Sequence, residues 1–245
     1  MPRRNPTYSI LILLAVLVVA AGADQVVLNP TKDNTMYEEM KEGEKSNGAG
    51  DYFFCGRTVK SELRRALVAF DVAGAIPAGS TINSAQLTLT MSRTIAGPEP
   101  VELHVVLADW GEGASDAPGE EGDGAPAVPP DATWIHRFFD TDLWTNQGGD
   151  FAASASAVQT VDQNGTYTWG STAAMVADVQ DWLDNPSTNF GWLVLGNEGQ
   201  EGEGSATAKR FNSRENPNDG FATVPMLAIN FTPPIAVDLM EFEAE

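Results

Sequence analysis

Two short polar segments carry the residue types of a hard-cation site. Thr31-Lys32-Asp33-Asn34-Thr35 lies near the start of the chain, and Ser213-Arg214-Glu215-Asn216 precedes its last strand-like run. Both offer carboxylate and amide oxygens, the donors that calcium collects in sets of about six to eight. The first and last strands of a β-sandwich are often neighbours. Asp33 and Glu215 are therefore predicted to meet and to hold a structural calcium that ties the terminal strand down. A second arrangement uses the same residues without metal, with Arg214 pairing with Glu215 or with Asp33. No EF-hand spacing is present.

Aromatic side chains are the other binding resource. A pyranose face presents polarised C–H groups that stack on indole or phenol rings. Trp182 and Trp192 sit in strongly apolar patterns and Trp169 ends a strand-like run, whereas Trp110 and Trp144 border loops. Trp110 and Trp144 are thus the carbohydrate-stacking candidates. Packing in a core or at its rim is the alternative for each, because tryptophan is highly buried on average.

Catalytic groups are harder to assemble. Glycoside hydrolysis needs two carboxyl groups in different environments across one bond. With 34 Asp and Glu in the chain, pairs arise by chance, and most fall in loops where water holds their pKa values near normal. A polysaccharide-degrading hydrolase is the remote alternative. There is no G-x-S-x-G elbow. His104 alternates with Leu103 and Val105, and His136 lies between Trp134 and Phe138; two separated histidines without cysteine pairs give no zinc signature. Cys55 is the single cysteine. In the strand-like Tyr52-Phe53-Phe54-Cys55 it reads as a small buried hydrophobe. The chain is expected not to be an enzyme.

The elements that must position these residues are mostly strands. Gln86–Met91, Val101–Val105 and Leu227–Phe231 alternate apolar and polar residues, the period of a strand with one buried face. Residues 66–72, 133–138, 156–161, 166–169, 190–195 and 208–213 are further strand candidates, bounded by turn formers. Asn164-Gly165 predicts a hairpin between two of them. Over 171–185, apolar residues at 175, 176, 179, 182 and 183 trace one helical face. Ser171 or Thr172 can cap its start and Asn185-Pro186 stops it. The fold class predicted is all-β, a jelly-roll-type two-sheet antiparallel sandwich with one short helix near 172–184. Asp109–Asp131 and Gly196–Ser205 read as long acidic loops. They are either solvated or a cation or ligand site.

The ends and the charge bound the setting. Arg3 and Arg4, the apolar run Ile10–Ala21 and the small residues Ala21-Gly22-Ala23 form the three-part pattern of a secretory signal peptide. Residues 1–23 are expected to be removed and the chain to be secreted, without a membrane anchor after cleavage. The domain is expected over 24–232. A tail over 233–245 would serve as a linker start, an edge strand or a docking strand for a protein partner. The formal charge of −20 opposes approach to phosphate backbones, so nucleic acid is excluded as a partner.

Several segments, taken in order, resemble the DNRLRE-domain family of bacterial extracellular modules. They are Arg64-Arg65-Ala66-Leu67-Val68-Ala69-Phe70-Asp71, then Ile76-Pro77-Ala78-Gly79-Ser80 with Ser84-Ala85-Gln86-Leu87, then Ala108-Asp109-Trp110-Gly111-Glu112-Gly113. Val179-Gln180-Asp181-Trp182, Asn189-Phe190-Gly191-Trp192 and Arg210-Phe211-Asn212-Ser213-Arg214-Glu215-Asn216 follow. The resemblance implies a jelly-roll sandwich, and some of that family are classed as carbohydrate-binding modules. One branch binds anionic polysaccharide through lysines on one face, but no strand here presents an alternating lysine row. The function expected is therefore non-catalytic binding of a polysaccharide or cell-surface polymer, neutral or weakly charged. The alternative is a structural or adhesive protein with a protein partner.

Overall fold

The computed structural model describes residues 22–39, 43–199, 206–217, 220 and 222–235. The predicted signal peptide lies almost wholly outside them, as does most of the predicted tail. In chain order the strands are β1 (Asp24–Leu28), β2 (Lys32–Tyr37), β3 (Lys45–Ser46), β4 (Tyr52–Arg57), β5 (Leu63–Ala69), β6 (Thr81–Thr94), β7 (Glu99–Val105) and β8 (Ala125–Pro126). They continue as β9 (His136–Phe138), β10 (Asp142–Leu143), β11 (Ala157–Val161), β12 (Gly165–Gly170), β13 (Trp192–Gly196), β14 (Lys209–Asn212) and β15 (Met226–Thr232). A helical turn, α1 (Val72–Ala75), one helix of three turns, α2 (Ala173–Asp184), and a 3-10 turn at Pro186–Thr188 complete the set among the described residues.

Eleven strands form one curled antiparallel sheet that folds over to make the two layers of a sandwich. One layer runs β1–β15–β6–β14–β4, with β12 on the other edge of β6. The second runs β2–β5–β13–β7–β11. β4 belongs to both. Its residues 52–55 pair with β14, and then Gly56 and Arg57 pair with β5. Gly56 makes that corner at φ +96, where a Cβ would also press on Thr207 at 3.0 Å. Only glycine adopts this conformation without cost.

The alternation read in β6 is borne out. Ile82, Ala85, Leu87, Leu89 and Met91 are buried between the layers, facing Leu227 and Ile229 of β15 and Val101 and Leu103 of β7 in one core. Helix α2 closes an end of this core. Thr172 Oγ1 caps it by accepting from the Met175 N–H at 3.1 Å. Met175, Val179, Trp182 and Leu183 point inward, and Trp182 packs on Trp192 with ring centroids 4.5 Å apart.

Two expectations are corrected. Asn164-Gly165 does not close a hairpin: β11 pairs with β7 and β12 with β6, so the turn carries the chain from one layer to the other. The run 133–138 is a strand only over His136–Phe138, in a two-stranded ribbon with β10. Of the two readings of Asp109–Asp131, the solvated loop is set aside, since Trp110, Ser115, Ala117, Glu121, Ala125 and Asp131 are buried. The segment lies within a long excursion that covers the outer face of the second layer, where Met36, Leu67, Ala69 and Leu193 form a second core with Trp110, Ala132, Trp134 and Trp144. β5 and β13 are therefore buried on both faces, which accounts for their unbroken apolar runs.

Candidate functional site

The two segments singled out for cation chemistry do meet. Asp33, on β2, is 1% exposed. Its carboxylate accepts from the Arg214 backbone N–H at 2.8 Å, and its own N–H donates to Glu112 Oε1 at 2.6 Å. The Arg214 guanidinium reaches Glu112 Oε2 at 2.5 Å and Glu215 Oε1 at 2.7 Å. The carboxylates of Asp33, Glu112 and Glu215 offer ligand oxygens all within 4.8 Å of one another. The pairing anticipated for Arg214 is present as a guanidinium bridge to Glu215, while Asp33 is held by the Arg214 backbone. Glu112 was not foreseen as a member; it comes from the excursion, 79 residues along the chain from Asp33.

One guanidinium faces three carboxylates here, and the excess negative charge shows in their acidities. Burial, then the charges of Glu215 and Glu112, raise Asp33 well above the usual carboxylate range. Burial raises Glu112 against the pull of Arg214. Glu215 is pushed up to about 7, first by burial and then by Glu112, with Arg214 opposing. Glu215 Oε2 is buried without a hydrogen-bond partner. An all-oxygen, carboxylate-rich donor set of this kind suits a hard cation.

The sugar-stacking expectation is corrected at both positions. Trp110 is 1% exposed and Trp144 5% exposed. The Trp110 indole N–H donates to the Phe190 carbonyl, and that of Trp144 to the Thr133 carbonyl, each at 2.9 Å. Their rings belong to the second core, so neither has a free face. Cys55 is buried as expected, and burial pushes its thiol up to about 12. His104 is buried against the excursion, its ring nitrogens 2.8 Å from the Ala152 carbonyl and 3.0 Å from Glu102 Oε2.

A groove that the sequence did not announce opens on the far side of β4. It has a volume of about 440 Å³ and lies between the β4–β5 connection at 58–62, the end of β6 with the following turn, and the excursion at 117–124. Val59 and Ile95 stand exposed on its walls. Its polar lining is arranged in opposite-charge pairs: Arg64 with Glu62 at 2.9 Å, Lys60 with Asp123 at 3.0 Å, and both Arg93 and Arg210 with Glu120 at 2.6 and 2.5 Å. Lys209 underlies the groove, its Nζ donating to Thr94 Oγ1 and to the Ala96 and Gly97 carbonyls. Five basic residues against four acidic ones line this groove in a chain of net charge −20.

Glu121 fixes the groove's outer wall. It is 6% exposed. Its carboxylate accepts from Asn47 Nδ2 at 2.7 Å and from the backbone N–H groups of Asp51 and Tyr52 at 3.1 and 2.9 Å. Backbone donors converging on an ionised carboxylate give strong, directional bonds. This anchor holds the neighbouring Glu120 over the groove.

No family model matches the chain, and no curated protein matches it.

Proposed function

We propose that the protein is an exported, non-catalytic module that binds a neutral or weakly charged polysaccharide in the groove beside β4. The observation that carries this reading is the lining of the groove. Its ion pairs present donors and acceptors side by side, matching the adjacent hydroxyls of a sugar, each of which can both donate and accept. Val59 and Ile95 offer apolar contact for the sugar's C–H faces. The near balance of charge suits a ligand with little charge of its own. The leader-like N-terminus and the ordered DNRLRE-like motifs support an extracellular setting and a binding role.

Affinity electrophoresis against a panel of neutral polysaccharides tests this, with reducing ends assayed in parallel. Retardation without release of reducing ends is expected. Retardation should weaken by about tenfold in Arg93→Ala, since one charge-assisted hydrogen bond contributes about that much. Retardation by no polymer, together with saturable capture of a purified surface protein, would favour the adhesive alternative. Release of reducing ends abolished by one Asp or Glu substitution would make the protein a hydrolase.

The carboxylate cluster is proposed to hold a structural calcium through Asp33, Glu112 and Glu215. The folded-state pKa of Glu215, about 7, lies above its ordinary 4.5. Between those values the native state binds more protons than the unfolded one, so this group makes stability fall as pH rises from about 4.5 to 7 and then level off. In EDTA the melting temperature should show that decline. Added calcium should raise it, and more at pH 8 than at pH 5, because a ligand bound only by the native state stabilises it and protons compete for the same oxygens. Melting curves indifferent to both EDTA and calcium would rule out a stabilising site.

A further inference from the structure

We propose that Glu120 determines the specificity of the groove: it occupies the place of a ligand's anionic group, so the groove accepts neutral polymers and refuses polyanions until Glu120 is removed. This rests on the reading of the groove as a polysaccharide site.

Two guanidiniums, Arg93 and Arg210, converge on the single oxygen Oε2 of Glu120 at 2.6 and 2.5 Å. Such convergence is how proteins grip a bound carboxylate or sulfate. Arg210 is held in place independently of Glu120. Its side chain is 10% exposed, its Nε donates to Ser92 Oγ at 3.0 Å, and its guanidinium carbon lies 3.7 Å from the centre of the Tyr52 ring. It stays in position as a cation whether or not Glu120 is there.

Glu120 itself is 68% exposed. It sits in a turn where Gly119 and Gly122 have open space around them. The loop's attachment to the body runs through the neighbouring Glu121 instead. Glu120 can therefore be lost without disturbing packing. Its two arginine partners keep it ionised, since both lower its pKa. An approaching polyanion meets guanidiniums already neutralised and a carboxylate that repels it. Discrimination through a repulsive group against the wrong ligand is as effective as attraction to the right one. Without Glu120, Arg93 and Arg210 face the groove without the carboxylate that pairs them both.

The test is affinity electrophoresis of wild type and Glu120→Ala in gels containing polygalacturonate, run beside a neutral polysaccharide panel. The variant should bind polygalacturonate at least about tenfold more tightly than wild type, and the gain should fade with added salt and vanish in Glu120→Ala/Arg210→Ala. Melting curves confirm that each variant is folded. Asp184→Asn removes an exposed charge on α2, which packs on the opposite end of β6 through the Gln180 bond to Ile82 N–H, and should give no comparable gain. Wild type that already binds polygalacturonate as tightly as Glu120→Ala, no gain in the variant, or an equal gain from Asp184→Asn would overturn the proposal. Neutral-polymer binding by wild type without a gain in the variant sinks the Glu120 inference alone. A gain in the variant with no neutral polymer bound by wild type sinks the neutral-polymer reading and leaves the role of Glu120 standing.

Discussion

Replacing Trp110 with alanine should lower the stability of the protein by about 3–5 kcal/mol, the usual cost of emptying a buried aromatic site. The indole lies in the second core with Trp134, Trp144 and Leu193. Its N–H satisfies the Phe190 carbonyl at 2.9 Å, and Lys32 Nζ lies 4.2 Å from its ring centre while bonding the Trp110 carbonyl and Asp109. Truncation leaves a cavity, strips a half-buried carbonyl of its partner and loosens the segment that brings Glu112 to Asp33. Urea denaturation should show a lower midpoint, with polysaccharide retardation kept under conditions where the variant is folded. An unchanged midpoint together with lost retardation would return the stacking role to Trp110.

Leu89→Asp should leave no stably folded protein. Leu89 is fully buried in the middle of β6, paired across from Tyr167 of β12. An uncompensated carboxylate at that depth costs several kcal/mol, and lost packing adds to it. Together these approach the whole stability of an ordinary domain, about 5–15 kcal/mol. Thr90→Asp is the matched control. Thr90 is the next residue, on the outer face, 3.4 Å from Thr166 across the strand pair. Near-ultraviolet circular dichroism should show native signal for Thr90→Asp and none for Leu89→Asp. Native signal from both would contradict the alternation on which the sandwich rests.

Much of this architecture was legible in the sequence, for identifiable reasons. β6, β15 and α2 carry clean periodicities because each buries one face only. Asp33 and Glu215 meet as expected but by another route: the paired terminal strands are β1 and β15, whereas Asp33 lies on β2 and Glu215 in the turn after β14. Of the two readings of Asp109–Asp131, the solvated loop fails, although its many acidic residues suggest solvation, and the cation or ligand site is the one that fits Glu112 and the groove lining. In the fold several of the acidic residues turn inward to cap backbone N–H groups: Asp131 accepts from Gly113 and Val128 at 2.7 Å each, as Glu121 does from Asp51 and Tyr52. One signal was available. The unbroken apolar runs of β5 and β13 required something to cover their second face, and the Trp-rich stretch from 110 to 144 was the segment able to do so. The Asn164-Gly165 turn has hairpin chemistry, yet tertiary pairing to β7 and β6 overrode it. The groove had little sequence signal, because apart from Arg64 with Glu62 its cation–anion pairs join residues far apart in the chain, Arg210 and Glu120 being 90 positions apart.

Binding of polysaccharide in the groove without turnover can be measured on the isolated protein. Calorimetric titration reaches it most directly. Wild type and Arg93→Ala, whose side chain is 55% exposed and carries little packing, are titrated with an oligosaccharide cut from the retarding polymer, and the products are analysed afterwards. Saturable heat is expected for wild type, with binding weakened by about tenfold in the variant and the oligosaccharide recovered intact. Equal binding by both proteins, or an oligosaccharide recovered in shorter pieces, would contradict non-catalytic binding in the groove.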